Sequence, residues 1–164
     1  MIEPYDRDLL KSRKERFSMS EKAIFGMDYL RVTTGYNQEN HQGSYALNFA
    51  GKDTGIDSFY APFTGTVKRI RSTANELWFE SNEPIQWANG TVDYVTMLLI
   101  HANSVSVSVG DVVKQGALLY TEGTSGNYVT ANHIHCECGK GKFVSPYGWY
   151  NTGVTLSSGE TIWN

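Results

Sequence analysis

The alternation of strand-forming and turn-forming segments constrains the fold of this chain most. From Tyr29 onward, short runs rich in Val, Tyr, Phe and Thr alternate with clusters of Gly, Asn, Asp and Ser. This pattern is typical of an all-β domain, and the sixteen glycines fit a fold with many tight turns. The predicted strands are residues 29–33, 44–49, 65–72, 77–81, 91–100, 118–122 and 133–138.

The first 28 residues differ from this pattern. Residues 6–17 are dense in charges of both signs, and Ser18 with Glu21 has the spacing of a helix capping box. We therefore expect a short N-terminal arm over residues 1–28, formed by one or two short helices or by an extended segment. The 164 residues suit one compact domain with a sizeable core, which we place at residues 29–164.

Composition and charge exclude several classes of protein. The net charge of −3 and the absence of a basic block argue against a nucleic-acid partner. No apolar run approaches the roughly 20 residues that cross a bilayer, so we expect no membrane insertion. The first residues also lack the apolar stretch of a secretory signal. Two cysteines cannot form a disulfide framework, and we expect free thiols.

The histidines are the candidate functional residues, because all four fall at the ends of predicted strands. Side chains alternate faces along a strand, so His133, His135 and Glu137 share one face while Cys136 and Cys138 take the other. Two imidazoles about 7 Å apart on one face can both address one metal ion or its bound water. A catalytic zinc takes three protein ligands and keeps one position open for water. The four candidates are His41, His101, His133 and His135.

Four segments together resemble a known family. They read HQGSYALNF, FYAPFTGTVKRI, LLIHANSVSVSVGDVVKQGALLYTEGTSG and NHIHCE, and they span about residues 33–139. Their order and spacing resemble the M23 (lysostaphin-like, LytM-type) zinc endopeptidases, especially peptidase domains of bacteriophage tail and cell-wall-hydrolase proteins. The resemblance implies an antiparallel β-sheet with a groove and one Zn²⁺ on the groove floor.

The resemblance also implies a role for each histidine. His41 and His135 match the zinc-ligating histidines of the family. His101 and His133 match its two other histidines, which hold and deprotonate the attacking water and stabilise the oxyanion. The third ligand position holds Asn48, where the family has an aspartate. An amide oxygen is neutral and a poorer donor than a carboxylate, so we expect this chain to hold zinc more weakly.

Three explanations of Asn48 remain open at this point. The domain is a natural copy that no longer cleaves, or an engineered inactive variant, or an active enzyme in which Asn48, Asp53 or Asp57 coordinates the metal. Glu137 is equally open, since it either supports a histidine from behind or faces solvent. Tyr128, on the loop before His133, is an aromatic candidate for lining the groove.

The function implied by the resemblance is zinc-dependent cleavage of peptide cross-links in bacterial peptidoglycan. The alternative is a catalytically degenerate domain that serves as a structural virion or wall-binding module. An unrelated β-sandwich or lipoyl-like carrier would explain the hairpin at residues 109–116 but not four clustered histidines. A wall hydrolase without a secretory signal reaches the wall through a phage pore or on the virion. We therefore expect a phage tail component, with other tail proteins as partners, or a lysin released to the cell wall.

Overall fold

The computed structural model describes residues 20–42, 45–127, 129–143, 155–156 and 162–163. In these residues the chain forms fourteen β-strands and one 3-10 helix, with no α-helix. The mostly β fold predicted from the sequence is thus confirmed. The strands are β1 (Glu21–Lys22), β2 (Arg31–Thr34), β3 (Ala46–Ala50), β4 (Ser58–Tyr60), β5 (Gly65–Arg71), β6 (Glu76–Ser81), β7 (Ile85–Gln86), β8 (Val92–Asp93), β9 (Val95–Ile100), β10 (Ser104–Val105), β11 (Val112–Val113), β12 (Leu118–Thr121), β13 (Ile134–Lys140) and β14 (Thr155–Leu156).

The largest sheet has eight strands and is antiparallel at every pairing. Seven strands follow the order β11-β5-β6-β9-β13-β3-β2, and β14 pairs with the second half of β13. Two smaller sheets have the orders β10-β12-β4 and β1-β7-β8. The long strand β13 therefore lies between β9 and β3, and this placement positions the histidines.

One face of the large sheet carries the core. Aromatic rings fill it, including Phe63 and Phe79, whose ring centroids lie 5.0 Å apart in a stacked pair. Cys136 and Cys138 are both buried in this core and are free thiols, as the alternation along β13 predicted. Burying this apolar surface provides the main driving force for folding in a domain without disulfides.

The N-terminal segment corrects one expectation. No helix is present in residues 20–28; instead Glu21–Lys22 form β1, which pairs in parallel with Ile85–Gln86. The Glu21 carboxylate accepts hydrogen bonds from Thr64 N (2.8 Å) and Thr64 Oγ1 (3.0 Å), so it serves a tertiary contact rather than a capping box. Met27 is buried in the core. Residues 1–19 lie outside the described residues, and the boundary at residue 28 stays a prediction.

The predicted strand at residues 91–100 is divided at Tyr94. Asp93 Oδ1 accepts a hydrogen bond from Tyr94 N, and Val95 N donates to Ser81 Oγ. As a result, β8 pairs with β7 while β9 joins β6 and β13 in the large sheet.

Within the described ranges, no helix has the length and apolar character needed to cross a membrane.

Candidate active site

The register of three neighbouring strands brings the sequence-predicted residues together. His135 on β13 lies opposite Asn48 on β3 and opposite Ile100 on β9. His101 directly follows Ile100 where β9 ends, and His133 lies just before the start of β13. Antiparallel pairing thus places residues from three distant parts of the sequence at one end of the sheet.

The fourth histidine enters from a turn. His41 ends the 3-10 helix Glu39–His41 and is 3% exposed. Its ring centroid lies 5.0 Å from that of His135, with the two planes perpendicular. The His101 ring lies 4.9 Å from His133 and 6.0 Å from His135. All four imidazoles therefore form one group, which we call the histidine cluster.

Backbone carbonyls fix three of these rings through the same nitrogen. In each, Nδ1–H donates to a carbonyl oxygen, so in the neutral ring Nε2 is the nitrogen without a hydrogen, the one that can bind a metal ion or accept a proton. Such a partner also fixes the ring orientation and the tautomer. The acceptors are Gly35 O for His41 (3.2 Å), Ser125 O for His101 (2.8 Å) and Ala131 O for His133 (2.9 Å).

His135 has an acceptor at each ring nitrogen. Its Nδ1 lies 3.1 Å from Asn48 Oδ1, and its Nε2 lies 3.1 Å from Glu137 Oε1. A neutral imidazole carries a single N–H and can donate to only one of these oxygens. The other contact requires a second proton on the ring, a turned Asn48 amide, or a cation between Nδ1 and Oδ1.

Burial lowers the pKa of two of the histidines. Desolvation lowers the pKa of His41, the charge of His135 lowers it further, and hydrogen bonds to Gly35, Ala46 and Asn48 act in the opposite direction. Desolvation also lowers the pKa of His101, against the hydrogen bond to Ser125 and together with the charges of His133 and His135. Neutral imidazole is the form that binds metal or accepts a proton.

The donor set fits a weakly held zinc ion. In the described part of the chain, no three His, Cys, Asp or Glu side chains form a metal-binding group. The candidate donors in the cluster are the imidazoles of His41 and His135 and the amide oxygen of Asn48. His135 Nδ1 lies 3.1 Å from Asn48 Oδ1, so these two candidate donors are adjacent and would be available to the same metal ion.

Solved structures share this architecture. A zinc-containing peptidase from Vibrio cholerae is 22% identical, with a TM-score of 0.54 over 72% of this chain and 37% of that chain. LytU is 26% identical, with a TM-score of 0.50 over 78% of this chain and 83% of that chain. The chain has the fold of the M23 peptidases. A chain of the SpoIIQ–SpoIIIAH pore-forming complex aligns with a TM-score of 0.55 at 19% identity, over 74% of this chain and 85% of that chain.

A curated relative comes from a phage. Morphogenesis protein 1 of Bacillus phage B103 is 30% identical over 141 residues, which are 85% of this chain and 38% of the relative. The chain therefore spans well under half the length of that protein. No protein-family profile matches the chain. The resemblance to the M23 fold thus rests on the solved structures, and the resemblance to a phage protein rests on the curated relative.

The two aspartates considered as replacement ligands have other contacts. Asp53 Oδ1 accepts a hydrogen bond from Gly55 N (2.6 Å) and so stabilises an exposed turn. Asp57 N donates to Glu122 Oε1, and Asp57 Oδ2 is buried without a hydrogen-bond partner. Asn48 therefore stays the candidate third donor of the histidine cluster.

Sequence reasoning left two parts of the site undefined. Glu137 was equally consistent with solvent exposure, whereas its carboxylate contacts His135 and its side chain is 13% exposed. Ser125 was interpreted only as a turn former, although its carbonyl accepts from His101. A backbone carbonyl is present at every residue, so the sequence does not indicate which one accepts a hydrogen bond from a histidine. Tyr128 lies outside the described residues, and its place in the groove stays a prediction.

Proposed function

We propose that this chain is a zinc-dependent endopeptidase domain that cleaves peptide cross-links of bacterial peptidoglycan, carried on a phage particle or released at the host wall. The convergence of four histidines and Asn48 at one end of the sheet carries this proposal. The M23 fold and the similarity to Morphogenesis protein 1 of Bacillus phage B103 support it.

The metal would be held by His41, Asn48 and His135. When bound, zinc polarises the scissile carbonyl and lowers the pKa of a coordinated water. His41 presents Nε2 because its Nδ1 donates to Gly35 O, and His135 presents Nδ1 because Glu137 faces its Nε2. The two rings would thus bind the metal through opposite nitrogens, each ring being held by a hydrogen bond at its other nitrogen.

His101 and His133 would move the protons of the reaction. Their Nδ1 atoms are engaged by Ser125 O and Ala131 O, so Nε2 of each is the available base. Burial favours neutral His101, which can take a proton from the attacking water. The imidazolium so formed can stabilise the oxyanion of the tetrahedral intermediate and protonate the leaving amine.

A structural role in the virion is the second candidate, and Asn48 favours it. The neutral amide lacks the charge with which a carboxylate binds a metal ion, so we expect the site to bind zinc more weakly than one with an aspartate. The structural similarity to a protein in a pore-forming complex agrees with assembly with partner proteins, such as other tail proteins.

Hydrolysis of purified peptidoglycan distinguishes the two candidates. The chain is incubated with zinc and isolated cell walls, and released amino groups and reducing sugars are both measured. We expect the wild type to release amino groups but no reducing sugars. Asn48→Asp should release amino groups faster than the wild type at limiting zinc. His101→Ala should lose hydrolysis but still bind zinc. No release by the wild type and by Asn48→Asp would instead support the structural role.

A further inference from the structure

His101 has an unusual backbone that two loops hold in place. Its φ of 81° lies in the left-handed region, which is uncommon for a residue other than glycine. His101 N donates to Ala74 O (2.9 Å), and His101 O accepts from Ser125 N (3.2 Å). The turn between β5 and β6 and the loop between β12 and β13 therefore contact this residue from two sides.

Two polar side chains join these loops next to His101. Asn75 Nδ2 donates to Ala102 O (2.8 Å) and to Ser125 Oγ (2.9 Å). Ser125 Oγ in turn donates to Ala102 O (2.6 Å). Both amide hydrogens of Asn75 are thus used, and the three groups form a closed triangle. Asn75 has a φ of 45°, a conformation that asparagine adopts more readily than most residues.

The triangle fixes the residue whose carbonyl sets the His101 tautomer. Ser125 O accepts from His101 Nδ1 at 2.8 Å. Gly126, which follows, has a φ of 103°, and a Cβ there would lie 3.0 Å from Ala74 Cβ and 3.5 Å from His101 Nδ1. The loop is therefore packed closely against the imidazole, and a shift of Ser125 would move the acceptor of the ring hydrogen.

We propose that Asn75 and Ser125 are positioning residues that hold His101 with its hydrogen on Nδ1 and its Nε2 free for the histidine cluster. The role of His101 in proton transfer rests on the proposed function, whereas its tautomer does not. Without the triangle, the bond from Ser125 N to His101 O still anchors Ser125 but no side chain braces it, so the Ser125 carbonyl can shift and the neutral ring populates both tautomers. A hydrogen on Nε2 would prevent His101 from accepting a proton there.

Two substitutions separate hydrogen bonding from backbone conformation. Asn75→Asp keeps the shape of the side chain but removes both donors. Asn75→Gly also removes them, while it adopts the left-handed backbone without strain. Asn89→Asp is the matched control, because Asn89 Oδ1 accepts from Thr91 N and Thr91 Oγ1, and an aspartate can still accept both bonds.

The tautomer is measured by nitrogen-15 NMR of the His101 side chain in alkaline buffer, where imidazoles are neutral. We expect Nδ1–H in the wild type and in Asn89→Asp, and a mixture of tautomers in both Asn75 variants. We also expect kcat for wall hydrolysis to fall about 10- to 100-fold in both, with KM and zinc stoichiometry unchanged.

The wild-type tautomer in folded Asn75→Gly would overturn the proposal, because an effect confined to Asn75→Asp would come from its added charge. If the Asn75 variants do not fold, Ser125→Ala provides the same test without changing residue 75. If the Asn75 variants shift the tautomer but the wild type itself hydrolyses no wall material, the proposed function is refuted and the positioning role stands.

Discussion

Asn48 lies opposite His135 in the strand pairing, and because its side chain is neutral it adds no negative charge to the histidine cluster. In the proposed zinc site, the amide would supply an oxygen but no negative charge. The carboxylate of Glu137 lies 3.1 Å from Nε2 of His135 and is largely shielded from solvent. A carboxylate behind a ligating histidine orients the ring and raises the basicity of its other nitrogen. The negative charge in this site therefore acts through His135.

Replacing Glu137 by glutamine should weaken zinc binding. The amide keeps an oxygen that can accept from His135 Nε2 but removes the charge, so we expect about 10- to 100-fold lower zinc affinity. Competition with a chromophoric chelator measures this change. Glu83→Gln, at an exposed side chain, is the matched control. Equal zinc affinities of Glu137→Gln and Glu83→Gln would show that Glu137 does not support the ligand.

At the scale of elements, the site depends on the close approach of the loop before β13 to the end of β9. A Cβ on Gly123 would lie 2.2 Å from the backbone nitrogen of Asn103. Gly123 also pairs with His133 in an isolated bridge, with His133 N donating to Gly123 O at 3.2 Å. No side chain fits at this crossing unless the backbone moves.

Gly123→Ala should therefore destabilise the fold. Inserting a methyl group against backbone typically costs about 1–3 kcal/mol, and we expect a loss of at least this size in the free energy of unfolding by urea. Gly55→Ala is the control, since a Cβ there meets only the end of the exposed Asp53 side chain, which can move. Equal losses in the two variants would contradict the tight crossing.

The sequence predicted the elements that have a local signal and missed those without one. Periodic apolar runs located strands such as β5 and β9, and alternation placed His135 and Cys136 on opposite faces. The pairing of β1 with β7 could not be predicted, because two residues carry no periodicity and the partner lies more than 60 residues away. Asn75 had only the signal of a turn residue, since its bonds depend on tertiary contacts.

At the scale of the whole molecule, a buried carboxylate connects the β10-β12-β4 sheet to the loop that follows β3. Glu122, directly after β12, is fully buried and accepts hydrogen bonds from Gly51 N (3.1 Å) and Asp57 N (3.2 Å). Desolvation raises the pKa of Glu122, against these two hydrogen bonds and with further increase from the charges of Asp57 and Asp53. The folded state therefore binds this proton more tightly than the unfolded state.

This difference gives a defined pH dependence. The pKa of Glu122 is higher in the folded state than in the unfolded state. Protonated Glu122 therefore stabilises the fold at pH values below the ordinary glutamate pKa, and this stabilisation is lost as the pH rises through the pKa of the folded state. Glu122→Gln cannot ionise. The free energy of unfolding of the wild type minus that of Glu122→Gln should fall as pH rises from about 4. Urea titrations across this range measure it, and a rising difference would contradict the assignment.

Zinc binding tests the central claim most directly, because the proposed enzyme depends on His41, Asn48 and His135 holding one metal ion. Each protein is dialysed against graded zinc, and bound metal per chain is measured by elemental analysis. We predict about one zinc per chain for the wild type, the same stoichiometry at lower free zinc for Asn48→Asp, and none at the site for His135→Ala. Absence of bound zinc from both the wild type and Asn48→Asp in excess metal would contradict the account, as would wild-type binding by His135→Ala.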